Sequence, residues 1–285
     1  MTTTAQKFFA KRSAVVGALL IFVLIVIAAF RPGARDPIAQ DIDHGLTERG
    51  APIGPSFFGD GAAWLGTDHL GRDVWSRVAS GAGNSLEIAS LATLISLVIG
   101  LSVGLVAGYA GGWVDNVLMR FVDLVLAFPY LLLAIMLAAL VAADSNAAVI
   151  LTLGFVGWTT MARVIRGKAM ALSRSEMVVA ARALGASPWR IVTRHVMPNV
   201  FGVTIVVATL GFAQNLLAEA LLGYLGLGVP PPTATWGRML FEGRVYYRTA
   251  PWLVIAPGVA IFVAVVAFNL LGEGLRDVLD PKEQR

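Results

Sequence analysis

Six runs of about twenty predominantly apolar residues dominate this 285-residue chain and leave it few possible folds. They cover residues 14–30, 85–108, 121–142, 148–164, 200–222 and 252–271. A helix needs roughly 20 residues to cross a hydrocarbon core about 30 Å thick. Inside lipid every backbone N–H and C=O must find its partner within the protein, so runs of this length read as helices. Composition points the same way: 57% of the residues are apolar and only 14% are charged, against about a quarter charged in soluble domains. The expected fold class is an all-α membrane protein with about six transmembrane helices.

Orientation follows from the positive charges between the runs. With the N-terminus inside, fourteen of the 22 Lys and Arg fall on the cytoplasmic side. The local contrast is sharper. The turn at 144–146 has no positive charge, whereas the next connection carries Arg163, Arg166, Lys168, Arg174, Arg182, Arg190 and Arg194. The expected layout is a cytoplasmic segment 1–13, a first span 14–30, an extracytoplasmic segment 31–84, a five-helix core 85–274 and a cytoplasmic end 275–285. Within the core lie a cytoplasmic loop 165–199 and an extracytoplasmic loop 224–251. Lys7, Lys11 and Arg12 before the first run resemble a signal-peptide start. The run is longer than a typical signal core, however, and Ala28-Ala29-Phe30-Arg31 is a poor cleavage site, so a retained anchor is expected. The net charge of +4 is assigned to these loops and not to nucleic-acid binding. Segment 31–84 is rich in Gly, Pro and Asp with little helical periodicity before Val74, and Pro230-Pro231-Pro232 predicts an extended polyproline stretch.

Several chemistries lack their residues. The chain has no cysteine, and His44, His69 and His195 show no metal-ligand spacing. Gly167-Lys168 lacks the earlier Gly and the following hydroxyl of a phosphate-cradling loop, so any ATP chemistry is expected on a partner. No Ser/His or Cys/His set marks a catalytic centre. No internal repeat is evident, which counts weakly against a transporter built from duplicated halves.

Residues 176–199 read as two short helices. The first, around 175–184, is rich in Ala, the best helix former. Gly185 fits a left-handed C-cap, and Ser187-Pro188 an N-cap followed by Pro at the first helical position. The second helix carries Trp189, Ile191, Val192 and Val196 among Arg190, Arg194 and His195, and Pro198 is expected to end it just before the fifth span. A basic interfacial helix pair lying on anionic lipid is one reading. A protein contact through the small Ala180-Ala181-Arg182-Ala183 face is the other, and local chemistry fits the two equally.

Gly100, Gly104, Gly108 and Gly112 repeat every four residues, which predicts close helix packing. Glu87 and Asp123 lie near predicted span ends, where they are expected to be solvated or paired. Asn215 and Glu219, four apart, share one face of the fifth span. They are expected to line a translocation pathway or, almost as readily, to bond neighbouring helices. On the outer face, Asp68, Arg72 and Asp73 with Pro231 and Trp236 fit either packed loops or a docking surface or lid.

The 176–199 segment resembles the EAA loop of ABC-importer permeases: acidic Glu176, Ala180-Ala181, Gly185 nine residues after the acid, and an apolar-x-Pro end at Pro198. Further blocks follow in order. They are Leu65-Gly66-Thr67-Asp68-His69-Leu70-Gly71-Arg72-Asp73, Gly108-Tyr109-Ala110-Gly111-Gly112-Trp113-Val114-Asp115, Val122-Asp123 with Phe128-Pro129, Leu225-Gly226-Leu227-Gly228 with Trp236-Gly237, and Phe268-Asn269 with Gly272, Gly274, Arg276 and Asp277. Together they resemble the C-type permease of the dipeptide/oligopeptide/nickel importer family. Glu219-Ala220-Leu221-Leu222-Gly223-Tyr224 departs mildly from that pattern.

The resemblance implies a type I ABC-importer permease fold in the bacterial cytoplasmic membrane, with both termini cytoplasmic. It implies import of di- or oligopeptides, with nickel or another small solute as the alternative. It also implies four kinds of partner: a second related permease, two ATPase subunits holding ATP and Mg, an extracytoplasmic binding protein, and membrane lipid. This chain itself would bind no cofactor or metal and catalyse nothing. ATPase coupling would fall on Glu176, Ala180, Ala181, Arg182, Leu184, Gly185, Ala186, Ser187, Pro188, Trp189 and Arg190. From a different class, an ion-gradient secondary transporter would need no ATPase partner.

Overall fold

The computed structural model describes residues 4–56, 63–141 and 145–279. A short α1 (Thr4–Ala10) leads into α2 (Arg12–Phe30), and α3 (Ile42–Gly45) lies in the following loop. The bundle is built from α4 (Val74–Ala110), α5 (Gly112–Leu126), α6 (Tyr130–Val141), α7 (Asn146–Ser173), α10 (Met197–Tyr224) and α12 (Trp252–Leu279). Between them come α8 (Glu176–Ala183), α9 (Pro188–Ile191) and α11 (Trp236–Gly243). Two isolated β-bridges are present, but no strand is formed among the described residues.

Five helices are long and apolar enough to cross a membrane among the described residues, and α5 with α6 make a sixth unit bent by 83°. This corrects the third span, expected as one helix over 121–142, whose last residue lies outside the described ones. The cause is local: Pro129 disfavours helical backbone at Phe128 and cannot donate to the turn behind it. The second span also starts earlier than expected. Its helix begins at Val74, where Asp73 caps it by accepting the Ser76 N–H at 2.8 Å. At 37 residues it is about 55 Å long, well beyond a hydrocarbon core of about 30 Å. Residues 74–84 of the expected extracytoplasmic segment are therefore helical and continuous with the second span. A third correction concerns Pro198. The helix does not end there but runs unbroken from Pro188 to Tyr224. A π-turn at Val192–Val196 widens the backbone just before the proline, and Asn199 Nδ2 donates to the His195 carbonyl at 2.7 Å.

Lipid tails are as apolar as leucine, so membrane helices hold together through close packing. The most extensive contact here is between α4 and α7, which run parallel. A Cβ on Gly100 would lie 2.8 Å from the Trp158 carbonyl oxygen, one on Gly104 2.7 Å from that of Ala162, and one on Gly108 2.6 Å from that of Arg166. The expected glycine packing thus holds at three positions. Gly112 differs: at φ +55° with nothing within 4 Å, it serves the turn into α5. On the other side α2 lies against α12, where Gly17 meets the backbone at Leu271 and Gly274 meets Ala14. α10 meets α12 through the stacked rings of Phe212 and Phe268, 3.7 Å apart.

These pairings set the two ends. One gathers the starts of α2 and α10, the ends of α4, α7 and α12, and the α8–α9 hairpin. The other gathers the start of α4, residues 63–73, the end of α10 and α11. The Pro230–Pro232 run lies at this second end and forms a turn, with a cis bond between Pro231 and Pro232, instead of the expected extended stretch.

Replacing Gly104 with Leu is expected to cost roughly 1–3 kcal/mol, because the added carbons meet the Ala162 carbonyl and the Cβ and Cγ2 of Ile165 at under 3 Å. Gly167, helical with open space where a Cβ would go, should accept Ala at no cost or with a gain of about 0.4–1 kcal/mol. Unfolding of the two purified variants against the parent checks both.

Candidate functional site

The α8–α9 hairpin is a locally determined structure. α8 closes with a Schellman arrangement: the Ala186 N–H donates to the Ala181 carbonyl at 3.1 Å and the Gly185 N–H to that of Arg182 at 3.0 Å. Gly185 takes φ +80°, which only glycine adopts without strain. Ser187 then caps α9, its hydroxyl accepting from the Arg190 N–H at 3.4 Å, with Pro188 in the first turn.

The hairpin sits on the bundle through Val178, Ile191 and Val196, all fully buried against Leu105, Ile165, Ala169 and Val200. Arg182 adds a contact by lying over the Tyr109 ring. The tip faces outward: Leu184 is 89% and Trp189 77% exposed. Glu176, Ala180, Gly185, Ser187, Pro188 and Arg190 are exposed beside them, while Ala181 and Ala186 are half-buried. A fixed backbone thus presents two large apolar side chains to whatever lies beyond it.

Asn215 and Glu219 are enclosed by this chain's own helices, at 2% and 0% exposure. Asn215 accepts from the Tyr130 hydroxyl at 2.8 Å and donates to Thr93 Oγ1 at 2.9 Å, tying α10 to α6 and α4. These two bonds make Asn215 an interhelical tie within this chain. Both Glu219 oxygens are buried without a hydrogen bond of ordinary geometry, with Ser85 and Thr235 beside them. The Ser85 hydroxyl accepts from the Trp236 N–H and that of Thr235 from the Arg238 N–H, which leaves both hydroxyl protons free to turn toward the carboxyl.

At the end opposite the hairpin, Asp68 and Arg72 belong to a buried charge lattice. Arg72 donates to Asp68 at 2.7 Å and to Glu242 at 2.8 Å, Arg77 to Glu242 at 2.8 Å, and Arg238 to the other Glu242 oxygen at 3.0 Å. Trp236 is fully buried, its indole N–H donating to the Val78 carbonyl at 3.0 Å and its ring lying over Gly81. Asp73 is the α4 cap. Of the five residues expected at a docking face or lid, only Pro231 is exposed. Asp68, Arg72 and Trp236 are buried and Asp73 is half-buried; Asp68, Arg72 and Asp73 tie the 65–73 loop to α4 and α11, and Trp236 ties α11 to α4.

Sequence reasoning missed Arg77, Arg238 and Glu242. Only the four-residue spacing of Arg238 and Glu242 hinted at them. It also left Asp115 without a partner, where Arg166 holds it with two bonds of 2.5 and 2.6 Å, pinning α5 to α7. Asp123 pairs with Arg163, as expected of a carboxylate near a span end, and Glu87 is exposed.

Comparison with known proteins fits this architecture. Residues 100–285 match the family model for binding-protein-dependent transport system inner membrane components. The dipeptide transport system permease protein DppC of Alkalihalophilus pseudofirmus is 38% identical over 94% of this chain and 86% of its own length. The glutathione transport system permease protein GsiD of Pectobacterium atrosepticum is 37% identical over 97% and 89%. A putative peptide transport system permease protein of Brucella suis is 37% identical over 98% and 91%. Among solved structures, a chain of the methionine ABC transporter MetNI in inward-facing conformations superposes with a TM-score of 0.58 at 19% identity. That match covers 72% of this chain and 97% of that one, and it shows a shared fold. The chain belongs to the family of binding-protein-dependent inner membrane components and is a multi-pass protein of the bacterial inner membrane.

The charge lattice carries its own prediction. Glu242→Ala leaves three guanidinium groups facing one another and should cost about 3–5 kcal/mol of stability. Asp123→Asn removes an ion pair whose partners are half exposed and should cost less than about 1 kcal/mol. Thermal unfolding of the two variants separates these outcomes.

Proposed function

We propose that this family member is the permease subunit of an ATP-driven importer for di- or oligopeptides, forming half of the pathway with a second related permease. The observation that carries the reading is the hairpin: a backbone fixed by its own caps, anchored by Val178 and Ile191, with Leu184 and Trp189 held out at its tip. Such a tip suits insertion into a groove on a separate ATPase, and it explains why large apolar side chains stand clear of the bundle. The peptide class rests on relatives that bear the names dipeptide, glutathione and peptide permease.

On this reading the hairpin end is cytoplasmic, as are both termini, and the α11 end faces outward toward a binding protein. Two ATPase subunits hold ATP and Mg. Their closure draws the hairpins of the two permeases together and opens the outer mouth, and hydrolysis resets it. The ATPases can bias this equilibrium only by contacting the two permease states differently. The contact falls on residues 180–190.

Vesicles containing the assembled complex should take up peptide only with ATP inside, whereas uptake driven by an ion gradient alone would establish a secondary transporter. Leu184→Asp combined with Trp189→Ala should abolish co-purification of the ATPase subunits while the chain still inserts. Gly185→Val, which forces a β-branched residue to φ +80°, should strain the bend by about 1–2 kcal/mol or more and lower transport-linked ATP turnover. Normal turnover in that variant would refute the coupling assignment. Because the chain has no native cysteine, a single Cys at Arg190 or at Val245 reports sidedness cleanly. In intact spheroplasts an impermeant maleimide should label the Val245 position and spare the Arg190 position.

A further inference from the structure

A cavity of about 420 Å³ opens between the 65–73 loop and α11, at the end opposite the hairpin. His69, Arg238, Phe241, Glu242, Arg244 and Tyr246 are among its walls, and the His69 ring stacks on Tyr246 at 5.5 Å.

Charge at this cavity does not balance. Three guanidinium groups, those of Arg72, Arg77 and Arg238, share two carboxylates, Asp68 and Glu242, and a fourth, Arg244, lines the same cavity. The deep pair, Arg72 and Arg77, is committed to those carboxylates, with side chains no more than 5% exposed. The outer pair is not. Arg238 gives its Nε to Glu242, and Arg244 has no carboxylate partner among the described residues, only a long 3.4 Å bond to the Tyr224 carbonyl. Both outer guanidiniums lie over the ring of Phe241, at 4.8 Å for Arg238 and 3.8 Å for Arg244. Stacking on an aromatic ring orients a guanidinium in advance and covers one of its faces. Both line the same cavity with spare N–H groups, and a guanidinium fork matches the two oxygens of a carboxylate.

Residues of the charge lattice line the inner side of the pocket, and a small void between His69 and Arg77 is about 10 Å³, room for roughly one water. The pocket is open at the surface of this end, within reach of a side chain presented from outside. Arg244 is exposed there, and Val245 is 76% exposed. Tyr and Arg, which line the pocket together, are residue types enriched at protein-binding hot spots.

We propose that this pocket receives an acidic side chain of the extracytoplasmic binding protein, held by Arg238 or Arg244 or both. This rests on the importer reading and on the α11 end facing outward. The test uses the complete importer in nanodiscs and the binding protein encoded beside this chain. Docking affinity is measured across ionic strength, and ATPase activity is measured without binding protein. Arg244→Glu should weaken docking about tenfold at low salt and flatten its salt dependence. ATP turnover without binding protein should stay unchanged, because Arg244 is exposed and lies at the far end from the hairpin. Arg244→Lys should recover part of the loss, and reversing one acidic residue on the binding protein's docking face should recover the Arg244→Glu variant. Docking that is unaltered by Arg244→Glu at low salt overturns the proposal, as does displacement of wild-type docking by free peptide acting at this pocket. A wild-type complex that ignores the binding protein at every salt concentration overturns the importer reading itself.

Discussion

The approach of α4 to α7 is the contact on which both ends of the molecule depend. In lipid the helices gain nothing by hiding apolar surface from one another, so the gain must come from close van der Waals contact. Gly100, Gly104 and Gly108 allow it by removing side chains along one stripe, so that α4 rests on the backbone of α7. Because the two helices run parallel, they end at the same level. There Leu105 of α4 with Ile165 and Ala169 of α7 form the seat into which Val178 and Ile191 of the hairpin fit. A wider spacing would open that seat and leave the hairpin held only by its connections to α7 and α10.

The same α4 rod carries the charge lattice at its other end. Four buried or half-buried charged side chains around Arg77 are a costly device unless each is paired, since unpaired charge in a low-dielectric setting is strongly disfavoured. Here each carboxylate serves more than one arginine, and the lattice ties residues far apart in the chain: Arg77 and Glu242 are 165 positions apart. Trp236 completes the joint by packing on Gly81 and donating to Val78. The outer end is therefore a rigid corner made by α4, α10 and α11.

What the sequence made legible was what is local. The bend between α8 and α9 follows from Gly185, Ser187 and Pro188 in adjacent positions, and its caps formed as expected. All six spans were visible as apolar runs, five of them as single helices, because hydropathy averages over the length scale that lipid imposes. The break at Phe128-Pro129 was hidden by that same averaging: two short apolar helices and one long one have the same mean. The π-turn before Pro198 was also invisible, since a proline normally signals a stop and only the backbone can show that the turn widened to admit it. Partners set by tertiary structure could not be read at all. Asn215 and Glu219 fitted a pathway lining or an interhelical bond almost equally, and nothing in the sequence named Tyr130 and Thr93 as the partners of Asn215.

These geometries join the two ends mechanically. The helical rod from Pro188 to Tyr224 is about 55 Å long, and it begins at the hairpin tip. At its far end, a Cβ on Gly223 would lie 2.8 Å from the Gly237 carbonyl carbon, so α10 and α11 touch backbone to backbone. α4 spans the same distance beside it, from the hairpin seat to the charge lattice. A force on Leu184 and Trp189 therefore reaches α11 through two stiff helices, with no flexible link on the way except the π-turn at Val192–Val196. That turn lies just inside the hairpin, where one widened loop of backbone can absorb a change of angle without breaking the rod. On the proposed reading, a push from an ATPase would turn α10 about this point and shift the corner that holds the outer pocket. Coupling across the membrane then needs only that the two helices stay packed, which returns to the three glycines of α4.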